Sequence, residues 1–211
     1  MRQTTVSFSG SATAPAQFPK EGLPEVAFLG RSNVGKSSLL NALAGTTGLA
    51  RVSSKPGRTQ TLNFFRVSGG AAPDEAKDLY LVDLPGYGFA KVSEAVRLSW
   101  QAMVESYLRG REPLAVCVFL VDARHDPQPG DVTLRAWLEH HAVPFVLCAT
   151  KADKLGRAER TRRMKALRAG FGQGALAVAE VSALTGDGID DLWRTIRRAA
   201  ASPRNKDLTH A

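Results

Sequence analysis

Cysteine and aromatic residues are scarce in this sequence, and patterns of zinc ligands are missing. The 211 residues include two cysteines, and Phe, Trp and Tyr together make up 7% of the chain. Cys117 and Cys148 lie within apolar, strand-like runs, where a thiol usually packs as a small hydrophobic group. No Cys and His residues have the spacing of metal ligands. We therefore expect buried thiols and no zinc site.

Long apolar runs are also missing. Residues 114–121 form one of the longest, and it is far shorter than the roughly 20 residues that a membrane-spanning helix requires. Residues 3–16 are small and polar, without the continuous apolar stretch of a secretory signal. These absences predict a cytoplasmic protein that spans no membrane.

Acidic residues are in the minority. The chain has 28 Lys and Arg residues against 20 Asp and Glu, for a formal net charge of +8. Such an excess favours an anionic partner, either RNA or a lipid surface, and does not choose between them. Two helix-like segments concentrate the cations, which either face solvent or contact a phosphate backbone. These cations are Arg157, Arg160, Arg162, Arg163, Lys165, Arg168, Arg194, Arg197 and Arg198.

Short apolar runs alternate with longer amphipathic segments, which predicts a largely parallel sheet wrapped by helices. The second and third runs follow each other without a helix between them, so we expect them to form an antiparallel pair. The predicted strands are Glu25–Leu29, Leu62–Val67, Leu79–Asp83, Leu114–Asp122, Phe145–Thr150 and Leu176–Val181.

The length suits one sizeable core and leaves no room for a second domain. Residues 1–22 and 201–211 lack periodicity, which predicts flexible ends around a single domain at residues 23–200. Residues 6–8 could still add an edge contact. Nothing in the sequence indicates an obligate oligomer, so we expect a monomer.

A glycine-rich segment follows the first strand and leads into a helix, and it fits the pattern G-x-x-x-x-G-K-[ST]. Its glycines let backbone N–H groups turn onto phosphates, and the helix N-terminus adds a favourable field. Lys36 would reach the β- and γ-phosphates, and the hydroxyl of Ser37 would bind Mg²⁺. Chance matches to this pattern occur, but the flanking strand and helix favour phosphate binding. The predicted phosphate-binding residues are Gly30, Arg31, Ser32, Asn33, Val34, Gly35, Lys36 and Ser37.

A carboxylate ends the third strand, at the edge where open α/β sheets bind ligands. It belongs to Asp83 in the segment Asp83-Leu84-Pro85-Gly86. Asp83 would hold magnesium through a water molecule, and Gly86 would offer its backbone N–H to the γ-phosphate. Loss of that phosphate would then free the following loop.

A base-reading element follows the fifth strand, in the segment Thr150-Lys151-Ala152-Asp153. Asp153 can accept two hydrogen bonds from guanine, whereas adenine has no matching pair of donors, and such a site rejects the wrong base strongly. The stem of Lys151 would lie on the base. An adenine-specific ATPase or kinase would require Asp153 to be mispositioned. After the sixth strand, a backbone N–H of Val181, Ser182 or Ala183 would reach guanine O6.

These segments together resemble the EngB (YihA/YsxC) family of bacterial ribosome-assembly GTPases, in the TrmE-Era-EngA-EngB-Septin-like superfamily. The similar stretches are residues 30–38, 55–64, 83–88 and 150–154, and the similarity spans about residues 25–196. It implies a three-layer α/β P-loop NTPase (small G-domain) fold with six mostly parallel strands, one antiparallel edge strand and helices on both faces. It also implies a Mg²⁺-dependent GTPase that uses GTP and GDP as a switch. The implied partners are a large ribosomal subunit precursor and its rRNA, with no membrane partner.

The resemblance also implies that the first switch consists of Gly57, Arg58, Thr59, Gln60 and Thr61. Within it, Thr59 would supply the second magnesium hydroxyl beside Ser37. Sequence spacing alone does not choose between the two threonines. The implied catalytic residues are Asn33, Lys36, Thr59 and Gly86.

Two positions depart from better-known GTPases. Thr150 stands where many relatives have Asn, so a hydroxyl group replaces one contact by which a side-chain amide holds the loop. Tyr87 stands where Ras-like enzymes place the glutamine that orients water, so intrinsic hydrolysis should be slow. Asn33 matches relatives that bind K⁺ there, and such an ion could neutralise transition-state charge. The alternative is that Asn33 only satisfies backbone groups of the loop.

The family is also associated with septation, which leaves a second class of function open. In that interpretation the chain is an interaction protein that acts directly in cell division without binding ribosomes.

Overall fold

The computed structural model describes residues 4–50, 61–87 and 94–202, and for residues 94–101 the backbone alone. This part of the chain forms seven strands in one sheet and five α-helices. The strands are β1 (Thr5–Ala12), β2 (Glu25–Gly30), β3 (Leu62–Ser68), β4 (Leu79–Asp83), β5 (Leu114–Asp122), β6 (Phe145–Thr150) and β7 (Ala177–Glu180). The helices are α1 (Lys36–Leu43), α2 (Glu94–Gly110), α3 (Pro129–His140), α4 (Arg157–Ala169) and α5 (Ile189–Ala201).

The sheet has the strand order β1-β3-β4-β2-β5-β6-β7. Five neighbouring strands, from β4 across β2 and β5 to β7, pair in parallel. β3 is antiparallel to both of its neighbours, β1 and β4. The predicted α/β class and the antiparallel pair of consecutive strands are therefore confirmed.

Two expectations about the N-terminal side of the sheet are wrong. The sheet has seven strands rather than six, because Thr5–Ala12 pairs with β3. The edge contact that residues 6–8 could add is present, so residues 1–22 are not a uniformly flexible segment, and β3 lies inside the sheet while β1 forms the edge. Val6, Phe8 and Ala12 do alternate with Thr5, Ser7 and Ser11, but small and polar residues dominate the segment and Gly10 interrupts the apolar positions, so the strand signal in the sequence is weak. The last strand is also shorter than predicted, since Leu176 and Val181 fall outside it.

Helices cover both faces of the sheet and enclose two apolar clusters. One cluster includes Leu39 and Leu40 of α1 with Leu192 of α5. The cluster on the other face includes Leu138 of α3 and Met164 of α4. The three-layer prediction is therefore confirmed. The C-terminal residues 203–211, predicted as a flexible tail, lie outside the described residues.

The parallel strands bring their carboxyl ends to one edge of the sheet, where the loops that follow them meet. The P-loop segment follows β2, and Asp83 ends β4. The base-reading segment follows β6, and residues 181–183 follow β7. None of the helices in the described ranges has the length and apolar character needed to span a membrane.

Candidate functional site

The segment between β2 and α1 is shaped by left-handed backbone conformations. Gly35 has φ 107° and caps α1, while Asn33 has φ 64°. Glycine adopts such angles without the steric cost that a Cβ imposes. Gly30 has a second constraint, since an added Cβ would lie 2.9 Å from Val34 Cγ1 and 3.0 Å from Leu120 Cβ. The first turn of α1 thus begins where the loop ends, and its N–H groups have no acceptor within the helix.

The lysine of this segment contacts the acid that ends β4. Lys36 Nζ forms an ion pair with Asp83 Oδ1, and both side chains are largely buried. The contact joins residues 47 positions apart, so the first helix and the third predicted strand converge as the sequence indicates. Ser37 follows Lys36 in the first helical turn. A serine hydroxyl and a carboxylate are hard oxygen donors of the kind that Mg²⁺ prefers, so the residues present fit that ion.

The P-loop segment is hydrogen-bonded to the segment that follows β4. The N–H of Ser32 donates to Tyr87 O at 3.0 Å, and the N–H of Tyr87 donates to Gly30 O at 3.2 Å. A Cβ on Gly86 would lie 3.2 Å from both Gly30 O and Ser32 N, so the two backbones approach as closely as glycine permits. Two backbone hydrogen bonds and this close contact therefore join residues 86–87 to the P-loop.

Tyr87 also ties this segment to the start of α3. Its hydroxyl donates to Asp131 Oδ1 at 2.5 Å, and the other carboxylate oxygen accepts from the N–H of Gln128 at 2.7 Å. Burial and the hydrogen bond to Asp131 raise the pKa of Tyr87 well above its usual value. An added Cβ on Gly130 would lie 3.2 Å from the ring of Tyr87, so glycine there makes room for the phenol.

We expect Tyr87→Phe to destabilise the protein by about 1–3 kcal/mol, because Asp131 is 4% exposed and would lose its hydroxyl donor. Urea unfolding followed by circular dichroism measures the change. The matched control is Tyr80→Phe, whose hydroxyl bonds Glu21 at 3.1 Å, and that carboxylate is 48% exposed and can be rehydrated. Equal losses in the two variants would contradict a special role for the Tyr87 contact.

The base-reading segment is joined to the P-loop by two side chains. Thr150 Oγ1 lies 2.6 Å from Val34 O and 3.1 Å from Val121 O, and the residue is 4% exposed. The hydroxyl therefore makes the holding contact at the position where many relatives have an amide. Lys151 Nζ donates to Asn33 O at 2.6 Å. The P-loop and the segment Thr150–Asp153 are thus joined by two hydrogen bonds at the sheet edge.

Asp122, at the end of β5, fixes the ammonium group of Lys151. Its Oδ2 accepts from Lys151 Nζ at 2.9 Å and from Arg124 Nη2 at 2.8 Å. Burial alone would raise the pKa of Asp122, but the hydrogen bonds from Arg124 and Lys151 outweigh burial and hold that pKa well below its usual range. Asp122 is therefore ionised at any pH at which the protein works. It orients a residue predicted to lie on the base.

The carboxylate of Asp153 is held by a serine from the loop after β7. Ser182 Oγ donates to Asp153 Oδ1 at 2.8 Å and accepts from the N–H groups of Leu184 and Thr185 at 3.2 and 3.1 Å. The bond from Ser182 lowers the pKa of Asp153. An ionised carboxylate has about four lone-pair sites, so it can accept from Ser182 and still accept two guanine N–H groups.

Ser182→Ala should shift the pH dependence of GDP binding. A carboxylate with a lowered pKa stays ionised on acidification, so guanine affinity persists until the pH falls through that pKa. Without the bond from Ser182 the pKa rises toward the usual value of about 3.9, and affinity is lost at a higher pH. Fluorescent GDP titrations from pH 7 to about pH 3 measure the shift, with Ser202→Ala as control. Identical profiles would contradict the assignment.

The structure brings together most of the residues predicted from the sequence. Among residues 181–183, the N–H of Val181 donates to Ala149 O at 2.9 Å and that of Ser182 to Asp187 O at 3.0 Å. Within the described residues, this leaves the N–H of Ala183 without a backbone acceptor. The predicted first-switch residues 57–60 lie outside the described residues. Thr61 is described, and its hydroxyl lies 3.2 Å from Asn63 Oδ1.

Sequence reasoning missed four contributions to this site: Asp122, Arg124, Asp131 and the hydroxyl of Ser182. The first two could have been noticed because Asp122 ends β5 and Arg124 lies two residues beyond it, at the same sheet edge as the recognised motifs. Among the predicted cations of α5, Arg197 departs from both expected alternatives, whereas Arg194 and Arg198 are exposed as a solvent-facing helix surface predicts. Arg197 is 2% exposed and donates to Ala76 O at 2.8 Å, while Arg198 pairs with Asp74 at 3.0 Å.

Known proteins share both this sequence and this fold. The family model described as "50S ribosome-binding GTPase" matches residues 25–151. A probable GTP-binding protein EngB from Symbiobacterium thermophilum is 47% identical, over 89% of this chain and 92% of its own length. Another, from Syntrophus aciditrophicus, is 46% identical over 97% of this chain and 100% of its own length.

Solved structures agree with these matches. The crystal structure of a probable GTP-binding protein EngB has a TM-score of 0.66 at 24% identity, and it covers 83% of this chain and 98% of its own. Era in complex with MgGDPNP and nucleotides 1506–1542 of 16S ribosomal RNA has a TM-score of 0.67 at 27% identity, over 84% of this chain and 56% of its own. The fold is that of P-loop GTPases, and the chain belongs to the EngB family of GTP-binding proteins.

Proposed function

We propose that this chain is a Mg²⁺-dependent GTPase with slow intrinsic turnover, working in the cytoplasm as a switch in assembly of the large ribosomal subunit. The observation that carries the nucleotide part is the convergence of two motifs. Lys36 contacts Asp83 on the phosphate side, while Lys151 bonds Asn33 and links the base side to the same loop. One pocket at this edge can therefore hold phosphates and guanine together.

Each residue has a defined task in the proposed reaction. Lys36 and the N–H groups of the first turn of α1 bind the β- and γ-phosphates. Ser37, Thr59 and Asp83 would hold Mg²⁺, and the ion would supply positive charge beside the phosphate oxygens. Gly86 donates its N–H to the γ-phosphate. When that phosphate is lost, the loop after Gly86 is released, and the hydrogen bonds between Tyr87 and the P-loop couple this change to the phosphate site. Asp153 reads guanine N1–H and N2–H₂, and Ala183 donates to guanine O6.

The ribosomal part of the proposal rests on family membership and on charge. The matched family is described as 50S ribosome-binding, and the related Era structure holds a segment of 16S rRNA. The net charge of +8 suits an RNA partner. In a sedimentation assay with purified large subunits and their precursors, we expect the protein to pellet with GTP and to stay in solution with GDP.

That assay also separates the proposal from a direct role in septation. If ribosome supply limits division, septation defects on depletion should follow the loss of mature large subunits. Recruitment to the septum by a protein that does not pellet with ribosomal particles in either nucleotide state would refute the ribosomal role.

Potassium should accelerate GTP hydrolysis, because the side chain of Asn33 is exposed and bonds none of the described residues. It is therefore free to help hold a cation beside the phosphates. We expect turnover to be about 10- to 100-fold faster in KCl than in NaCl at equal ionic strength, below the roughly 10³-fold effect of an arginine finger. Asn33→Ala should abolish the difference. Equal turnover in both salts would contradict a cation-holding role for Asn33.

A further inference from the structure

A groove with a basic lining lies between α4 and the end of the outer strand β7. Its volume is about 940 Å³, and it is lined by Leu155, by one face of α4 and by Glu180. Met164 is 2% exposed and forms part of an apolar floor. Arg160 pairs with Glu180, so the one acidic side chain of this lining is neutralised. The groove begins at Leu155, two residues beyond Asp153.

The cations of α4 divide into two sets with different surroundings. Arg162 pairs with Glu159 at 3.6 Å, and Arg163 pairs with Asp126 at 2.5 Å. Neither of these arginines lines the groove. A second set, named here the groove cations, consists of Arg157, Lys165 and Arg168. All three are exposed and line the groove. In the part of the chain that the structure describes, none of the three forms an ion pair with an acidic residue.

The groove cations share one face of the helix. Positions 157, 161, 165 and 168 are separated in turn by four, four and three residues, and position 164 precedes 168 by four, which places them along one stripe. The eleven steps from Arg157 to Arg168 correspond to about 16 Å of helix. The three unpaired cations therefore all lie in the groove, while the paired Arg162 and Arg163 lie outside it and the paired Arg160 neutralises Glu180 within it. A helix whose charges merely faced solvent would not require such a separation.

We propose that this groove binds the phosphodiester backbone of RNA. The inference rests on the proposed ribosomal function and assigns a surface to it. Unpaired cations along a concave groove match a polyanionic strand, whereas a bilayer surface is flat and wide. No aromatic side chain is present in the lining, so bases have no stacking platform there. The contacts are to phosphates, and recognition by the groove is independent of base sequence.

Removal of the groove cations should weaken RNA binding and reduce its salt dependence. Each phosphate contact to a single strand contributes about 0.7 to the slope of log affinity against log salt, so three contribute about 2. At about 0.1 M salt the same loss corresponds to roughly 100-fold weaker binding. The test variant is Arg157→Gln/Lys165→Gln/Arg168→Gln. Its control removes the same charge from exposed, acid-paired arginines, as Arg162→Gln/Arg194→Gln/Arg198→Gln.

Fluorescence anisotropy with labelled polyuridylate, over a range of KCl concentrations, measures both quantities. We expect the test variant to lose affinity and slope while the control stays within a few-fold of the wild type. Equal losses in the two variants would show an effect of net charge alone and overturn the proposal. Binding of the wild type to phosphatidylglycerol vesicles but not to polyuridylate would overturn it as well.

Sedimentation with large subunits in GTP separates this inference from the proposed function. If the wild type pellets and the test variant pellets equally, the groove is not the RNA-binding surface, although the ribosomal function stands. If the wild type does not pellet but loses polyuridylate binding through the groove substitutions, the ribosomal function fails and the groove stands. Fluorescent GDP affinity should be unchanged in the test variant, which confirms that its nucleotide site is intact.

Discussion

Asp153→Asn should abolish the preference of this protein for guanine nucleotides. Asp153 is predicted to accept two hydrogen bonds from the base, and bonds to a charged group contribute about 1.5–3 kcal/mol each. The variant should therefore bind GDP about 10²- to 10⁴-fold more weakly, while its affinity for ADP changes little. Competition against fluorescent GDP measures both affinities. The hydroxyl of Ser182 can still donate to the new carboxamide oxygen, so the loop should keep its position.

The same variant should gain affinity for xanthine nucleotides. Xanthine carries a carbonyl at C2 in place of the amino group, so a carboxamide N–H₂ can donate to the base where the carboxylate could only accept. XDP should then bind the variant more tightly than GDP does. Asp187→Asn is the matched control, because that carboxylate is 55% exposed and belongs to the same loop as Ser182. A preference for GDP over ADP that survives Asp153→Asn would contradict the base-reading assignment.

The motifs that follow strands could be predicted because each depends on local sequence. Lys36, Asp83 and Asp153 all occupy sheet-edge positions that a pattern of glycines, strands and helices defines. Their convergence then follows from the parallel order of the strands, since the carboxyl ends of such strands share one edge. The Lys36–Asp83 ion pair and the cross-link from Lys151 to Asn33 are what that argument anticipates.

The parts that sequence reasoning missed depend on contacts between distant positions or on weak patterns. Tyr87 and Asp131 are 44 positions apart, and nothing near Asp131 marks it as more than a helix-capping acid. The bond from Ser182 to Asp153 joins positions 29 apart, and a lone serine carries no signal. Strand β1 has a period-2 pattern at Val6, Phe8 and Ala12, but it is rich in serine and interrupted by Gly10, so its strand signal is weak.

Lys36→Ala should reduce GTP hydrolysis by about 10²- to 10³-fold, the range observed when one donor to a transition-state oxygen is removed. The ammonium group now contacts Asp83, and both side chains are at most 15% exposed, so it is close to the acid that is proposed to hold magnesium through water. Phosphate release under single-turnover conditions measures the loss. Nucleotide affinity should fall as well, because Lys36 reaches the β-phosphate in both GTP and GDP.

A structural explanation of the Lys36–Asp83 pair makes a different prediction, so the two can be told apart. If the pair only stabilised the fold, Asp83→Asn and Lys36→Ala would lower the free energy of unfolding and leave turnover per folded molecule unchanged. If Lys36 grips the phosphates, turnover falls steeply in Lys36→Ala even where circular dichroism shows a native fold. Lys20→Ala, an exposed lysine away from the sheet edge, should match the wild type in both measurements. Turnover of Lys36→Ala within tenfold of the wild type would mean that the ammonium group does not act on the transferred phosphate.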